Sequence, residues 1–431
     1  MKLTTAFLFV FGIVALGQIA SGQDQGDAKT RARTAHDLAK QGADGIPKLL
    51  PYTTDVDLNV RLETVKALDD IGGPKTLDAL VTMTKDNDPE IQMRATDGLV
   101  NIYLPGSIKS GISGTLQRAG NAVKAKFTDT NDLIIDSFVE VRPEVIAALG
   151  RLASGGASLE SRANACRALG ILRGKDAEPQ LTEALHSKDN QTIYEALIAL
   201  QKIRDPAAGP SVAFLLRDLE ERIQVAAIET TGLLRNREAA PQLRDALDRA
   251  RSPKVKRAAI SSLAMLGDPA DHAVFVQSLS DKDDAIRASG AEGLGRLKDQ
   301  SDKPALEKAF NSEHGMGPRL SVAFALVSLG NLEAGQFSPL KYLINTLNLK
   351  TYRGIALPFL TELARDLPVR QAIYPLLPSA TKDEKIQLGT VMARSGDRDS
   401  LPYLEALQMD VDTEVATESI RSLRTLRARL P

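Results

Sequence analysis

Repetition at a fixed period constrains this chain more than any other feature of its sequence. A small-residue segment closing on an apolar residue recurs six times: Arg162 to Leu172, Tyr194 to Ile203, Val225 to Leu234, Lys256 to Leu266, Arg287 to Leu297 and Leu320 to Leu329. The closing residues stand 31, 31, 32, 31 and 32 positions apart. Each period holds two helices. After Arg237, the residues Ala240, Leu243, Ala246 and Leu247 fall at helical spacing. Ser252-Pro253 then supplies a cap followed by a proline at the first helical position. The second helix runs to Leu266 and stops at Gly267-Asp268-Pro269. Asp88-Pro89, Asp205-Pro206 and Asp283 repeat this punctuation, and no segment alternates convincingly as a strand would. One such pair cannot cover its own apolar face, so burial must come from stacking on its neighbours.

The openings Asp57-Leu-Asn-Val-Arg61 and Asp284-Ala-Ile-Arg287, with the ending Leu266-Gly-Asp-Pro269, resemble the bacterial HEAT-like repeats, including the type described in phycobilin lyases. The resemblance runs from about residue 44 to 431 with one interruption. It implies an all-α protein, an α-solenoid superhelix of about eleven helix pairs with one insertion after the second repeat. The expected organisation is repeats 1–2 over 44–104, the insertion over 105–141, regular repeats over 142–331, and divergent repeats with a terminal cap over 332–431. Extra prolines at 339, 358, 368, 375 and 378 predict irregular loops or altered curvature in the last section. Arg421, Arg424, Arg427 and Arg429 on the last helix read as a solvated cap, because a terminal unit needs a polar outer face. The resemblance defines the fold but not the function, since such repeats host many unrelated roles.

The insertion is the clearest departure from the period. Residues 106–127 hold four glycines, four cations (Lys109, Arg118, Lys124 and Lys126) and no acid. Asp129, Asp132, Asp136 and Glu140 follow, and Leu116, Ala119, Val123 and Phe127 fall close to helical spacing. Two readings stand side by side. In one, the cations form a basic arm that touches an anionic partner; in the other, the segment folds against adjacent units and its own acids cancel it.

Lys2, the apolar run Ala6 to Leu16 and the small polar stretch Gln18 to Gly22 read as a signal peptide over 1–22, too short to span a bilayer. Export to the periplasm or outside is the expectation, with a mature start at Gln23 and a lead-in over 23–43. A net charge of −1 gives no global attraction to nucleic acid. Aromatics are 4% and Trp is absent, so platforms that stack sugars or bases are disfavoured. The single Cys166 sits in an apolar pattern and reads as a small buried hydrophobe.

Catalytic and metal signatures are weak. The four histidines (His36, His186, His272 and His314) lie far apart, and none sits in an HExxH or His-Glu pattern. The acidic stretch Asp129 to Asp136 lacks the glycine and final glutamate of a calcium loop. Ser338-Pro-Leu-Lys341 and Ser379-Ala-Thr-Lys382 match Ser-X-X-Lys without its partner motifs. No catalytic residue, cofactor or metal is therefore expected. The expected role is a non-enzymatic scaffold binding a protein or peptide on its concave face. Alternatives are docking to an anionic membrane or cell-wall surface through the basic insert, and a lyase-like chromophore protein. Concave-face candidates are Arg162, Arg167, Glu229 and Glu292. The two glutamates occupy equivalent repeat positions and read first as hydrogen-bond acceptors for a neighbouring loop.

Overall fold

The computed structural model describes residues 26–105, 133–136 and 138–430. The signal peptide expected over 1–22 lies outside the described residues, as do Lys109, Arg118, Lys124 and Lys126. Among the described residues every regular element is helical, and eleven helix pairs follow a first helix, Ala28–Leu38. That helix packs on the second helix of unit 1, Leu58–Ile71. The second helices of units 2 to 6 are Pro89–Tyr103, Leu159–Ile171, Asn190–Ile203, Glu221–Leu233 and Pro253–Leu266. Those of units 7 to 11 are Asp284–Leu297, Met316–Ser328, Lys350–Leu363, Lys382–Ser395 and Thr413–Arg429. Each lies against its successor and buries its small-residue face there, so one apolar core runs from Ala35 to Leu426.

The turn between the two helices of a unit explains the Asp-X-X-Val-Arg signature. In unit 1 the Asp57 carboxylate caps the second helix, accepting from the Asn59 N–H at 2.8 Å. Asp55 accepts from the Asp57 N–H at 2.9 Å and so shapes the turn. Arg61, one turn into the helix, donates back to the Asp55 carbonyl at 2.8 Å and forward to Asp86 of unit 2 at 2.6 Å. Arg31 likewise clamps Asp55 at 2.8 and 2.9 Å. Unit 7 repeats the device with Arg287, which donates to the Asp281 carbonyl at 2.9 Å and to Glu313 of unit 8 at 2.8 Å. Each cap stabilises its helix by about 1 kcal/mol, and the charged fork adds direction as well as energy.

Close approach between second helices depends on glycine at three related positions. A Cβ on Gly170 would sit 2.8 Å from the Ala199 Cα, and one on Gly295 would sit 2.6 Å from the Ala325 Cα. Gly232 meets Ser262 in the same way. The chain spends glycine in helix interiors to let backbones touch.

Units 2 and 3 stack directly despite the 38-residue spacing that interrupts the repeat. The Gln92 side chain accepts from the Ala157 N–H at 2.9 Å, and Asn164 donates to Asp97 at 3.0 Å. Irregularity in the last hundred residues is narrower than the prolines predict. Pro339 and Pro368 stand in first turns, Pro375 and Pro378 form a short 3-10 turn, and Pro358 alone of the five lies inside an α-helix. Cys166 is fully buried, and burial pushes its thiol up to about 12, which keeps it protonated.

Candidate functional site

The superhelix curls until units 9 to 11 face units 3 to 5 across a cavity of about 1230 Å³. Its walls are the inner ends of second helices, with residues 134–136 along one edge. Ion pairs join the facing walls. Arg296 of unit 7 donates to both oxygens of Glu362 in unit 9 at 2.9 Å, and Arg235 lies 3.6 Å from the same carboxylate. Lys298 reaches Asp366 at 2.9 Å. Arg421 in unit 11 pairs with Asp136, which precedes unit 3. Burial works to raise the Glu362 carboxyl, but the Arg296 hydrogen bonds outweigh it and hold the group below its ordinary range.

Four cations owe their placement to the ends of the repeats. Arg173, Arg204, Arg235 and Lys298 each follow a unit's closing apolar residue and have φ of 51°, 59°, 52° and 56°. Gly267 and Gly330 fill the same place in units 6 and 8. This left-handed position after a helix normally selects glycine, and a side chain there costs about 1 kcal/mol. The negative end of the helix dipole offsets part of that cost for a cation.

Six arginines line the cavity: Arg173, Arg204, Arg222, Arg394, Arg421 and Arg429. Burial, then the charges of Arg394 and Arg365, push the Arg204 guanidinium below its usual value. Burial, then Arg394 and Arg204, do the same to Arg173, with Asp136 opposing. Arg429 is lowered by burial and by Arg365. Arg173, Arg204, Arg394 and Arg429 are solvent-exposed, so they face water inside a concave space rather than a dry core, and Arg365 is exposed as well. Arg429 donates to the Ala393 and Gly396 carbonyls at 3.0 and 2.7 Å, and Arg173 to the Ile135 carbonyl at 3.2 Å. No described residue makes an ion pair or side-chain hydrogen bond with Arg204, Arg365 or Arg394.

The structure redistributes the residues expected on the concave face. Arg162 is a turn clamp, donating to the Gly156 carbonyl at 3.1 Å, and Arg167 donates to Glu195 of unit 4 at 2.9 Å. Neither lines the cavity, because each is directed to its own turn or the next helix. Glu292 accepts from Ser321 at 3.1 Å and from Arg296 at 3.2 Å, so its partners are side chains and not loop amides. Burial raises its carboxyl. Glu229 lines the cavity, has no described hydrogen-bond partner, and is also raised by burial. The loop-capping role expected for it does not hold. The solvated cap on the last helix is likewise only partial: Arg424 is exposed and Arg427 pairs with Glu405 at 2.9 Å, while Arg421 and Arg429 enter the cavity.

Sequence reasoning missed Arg173, Arg204 and Arg394. The first two carried a signal, since a cation recurs 31 residues apart directly after the closing residue. Arg394 carried none, because its place opposite Arg204 arises only from the curl. The structure also gives His272 acidic company, which sequence spacing did not reveal. Ligand atoms of His272, Asp299 and Asp302 lie within 4.8 Å of one another, with His272 Nε2 at 3.0 Å from Asp302. One unit earlier Arg244 occupies the same place against Asp268 and Asp271 at 2.6 and 2.7 Å, so an inter-unit ion-pair ladder explains the cluster. The two Ser-X-X-Lys matches are local caps and turns: Ser338 accepts from the Lys341 N–H at 3.3 Å, and Ser379 donates to the Leu376 carbonyl at 3.2 Å.

Stacked helix pairs around a lined inner face define a helical-repeat solenoid. The family model for HEAT repeats matches residues 13–100, 146–220, 210–292 and 251–327. The chain belongs to the HEAT-repeat family. No curated protein sequence matches it. Among solved structures it is similar to the complex of CpcE and CpcF of phycocyanin lyase from Nostoc sp. PCC7120, at 17% identity over 62% of this chain and 92% of that chain, with a TM-score of 0.38. It is similar to Escherichia coli YibA at 16% identity over 68% of this chain and 96% of that one, TM-score 0.40. A Kap121p mutant aligns at 15% identity over 91% of this chain and 47% of that one, TM-score 0.39. A fold of this family supports a protein-interaction role, because solenoids present long concave surfaces. No helix among the described residues is long and apolar enough to cross a membrane.

Proposed function

We propose that the chain is an exported, non-enzymatic scaffold that holds a protein or peptide partner on its inner face. The observation that carries this reading is the cavity between units 3–5 and 9–11, whose guanidinium groups at Arg204 and Arg394 have no described partner. A small-molecule site is typically about 300–1,000 Å³ and mostly apolar, with a few convergent polar groups. This cavity is larger, and charged side chains are nearly half of its lining, which suits a polymeric partner. The export part of the reading rests on the residues before Gln23, and amino-terminal sequencing of the protein recovered from cells tests it.

Site-specific photo-crosslinking tests the inner face. A crosslinker at Thr390, inside the cavity, should capture a defined partner, and one at Lys308, exposed on the first helix of unit 8, should not. Capture from Lys308 alone would move the binding surface to the outside. Recovery of lipid or wall fragments in place of protein would favour an envelope-docking role.

A further inference from the structure

We infer that Arg204 and Arg394 form a receptor for a carboxylate-rich, non-helical segment of the partner, a proposal that rests on the scaffold reading above. The two residues belong to units 4 and 10 and line one cavity, so the curl of the superhelix, and not local sequence, brings them to it. The charges of Arg394 and Arg365 both act on Arg204, and neither Arg204 nor Arg394 has a described ion pair. Guanidinium groups gathered without a carboxylate repel one another, a cost that a counter-anion removes. Arg204 also occupies a left-handed position that Gly267 and Gly330 fill without strain in other units. Strain and repulsion at one spot, kept by a chain that shows the relaxed alternative elsewhere, mark a site that awaits a ligand.

The chain itself displays how such a segment would sit. Residues 133–136 are non-helical and run along the cavity edge. The Ile135 N–H donates to the Ile171 carbonyl at 3.0 Å, closing the end of a helix, while Arg173 donates to the Ile135 carbonyl at 3.2 Å. Asp136 then places its carboxylate on Arg421. Backbone thus meets a helix end and an arginine, and a carboxylate meets another arginine. A second acidic segment deeper in the cavity would repeat that pattern on the Arg204 and Arg394 guanidinium forks, which match carboxylates in bidentate fashion. Carboxylates at Glu220, Glu221, Glu229 and Glu418 also line the cavity, besides Asp136, but the charges that act on Arg204 are those of Arg394 and Arg365. Stacking ligands are less suited: the Tyr194 ring is covered by Arg222 at 3.6 Å.

The test is a titration of fluorescein-labelled hexaglutamate by anisotropy against the purified protein. Saturable binding at low salt, weakening as salt rises, is the expected result. The double variant Arg204→Gln/Arg394→Gln should lose at least tenfold in affinity, and Arg33→Gln, exposed on the first helix, should lose nothing. Thermal unfolding of the double variant checks that it folds, and Arg394→Glu provides an independent variant with the same expected loss. Absence of hexaglutamate binding, or equal binding by the double variant, overturns the proposal. So does binding of inorganic tripolyphosphate with none of hexaglutamate, which would mark a compact-anion site instead. A partner crosslinked at Thr390 as well by the double variant as by the parent would keep the scaffold reading while removing this one.

Discussion

Arg421 and Asp136 pair across 285 positions of sequence, tying the last helix to the segment that leads into unit 3. An array of helix pairs needs only neighbour contacts to be stable. This contact is of another kind: with the Glu362 and Asp366 bridges it joins the two sides of the curl.

Breaking that pair should alter shape more than stability. The two side chains are 53% and 37% exposed, and exposed pairs are worth about 0–1 kcal/mol. Asp136→Asn is therefore expected to change the unfolding midpoint little. Spin labels at Glu183 and Gln408, on the first helices of units 4 and 11, should report a longer and broader distance. An unchanged distribution would assign closure to packing and to the Glu362 and Asp366 bridges.

Helix-interior glycines should split into two classes. Gly295→Ala forces a Cβ against the Ala325 backbone and should destabilise by about 1–3 kcal/mol. Gly354→Ala places its Cβ in open space within the helix Lys350–Leu363 and should stabilise by up to about 1 kcal/mol. Urea unfolding of the two variants reads both signs, and a shared sign would refute the close-approach argument.

Relief of repulsion in the cavity should appear as stability. Because the arginines are solvent-exposed, Arg204→Gln/Arg394→Gln is expected to gain only a few tenths of a kcal/mol at low ionic strength. The gain should vanish near about 1 M salt, where screening is short-ranged. A loss of stability at low salt would mean that the guanidinium groups hold the walls together.

The turn clamps set the response to acid. The Arg31 hydrogen bond holds the Asp55 carboxyl below its ordinary range, as Arg257 does for Asp283 and Lys385 for Asp410. A carboxyl lowered on folding binds its proton more weakly in the native state than in the unfolded chain. Its contribution is complete above the ordinary value of about 3.9 and is lost as pH falls through the folded value. Stability should thus be insensitive to these groups near neutrality and decline below about pH 4. Replacing Arg31 with Ala should flatten part of that decline, which thermal unfolding across the acid range would measure.

Much of this architecture is written in short-range chemistry. The period, the Ser252-Pro253 start and the Gly267 stop are local signals, and each falls where the helix boundaries lie. The Val-Arg opening also announced itself, although its mechanism, a clamp from Arg61 to two turns, needed coordinates. The cavity was not legible. Arg204 and Arg394 look like ordinary charged residues at helix ends, and their juxtaposition depends on small rotations summed over six units. The candidates drawn from repeat position, Arg162 and Arg167, do not line the cavity, for a related reason. Position in the repeat fixes which neighbour a side chain can reach, but not whether that neighbour already occupies it.

Closure also gives the array a gauge. In an open solenoid, a duplicated or deleted pair lengthens or shortens the stack and leaves the remainder undisturbed. Here one added pair between Asp136 and Arg421 would carry the last helix past its mate, and one removed would leave it short. The bore therefore meters the number of pairs, because the bridges to Asp136, Glu362 and Asp366 all depend on how many pairs separate the two walls.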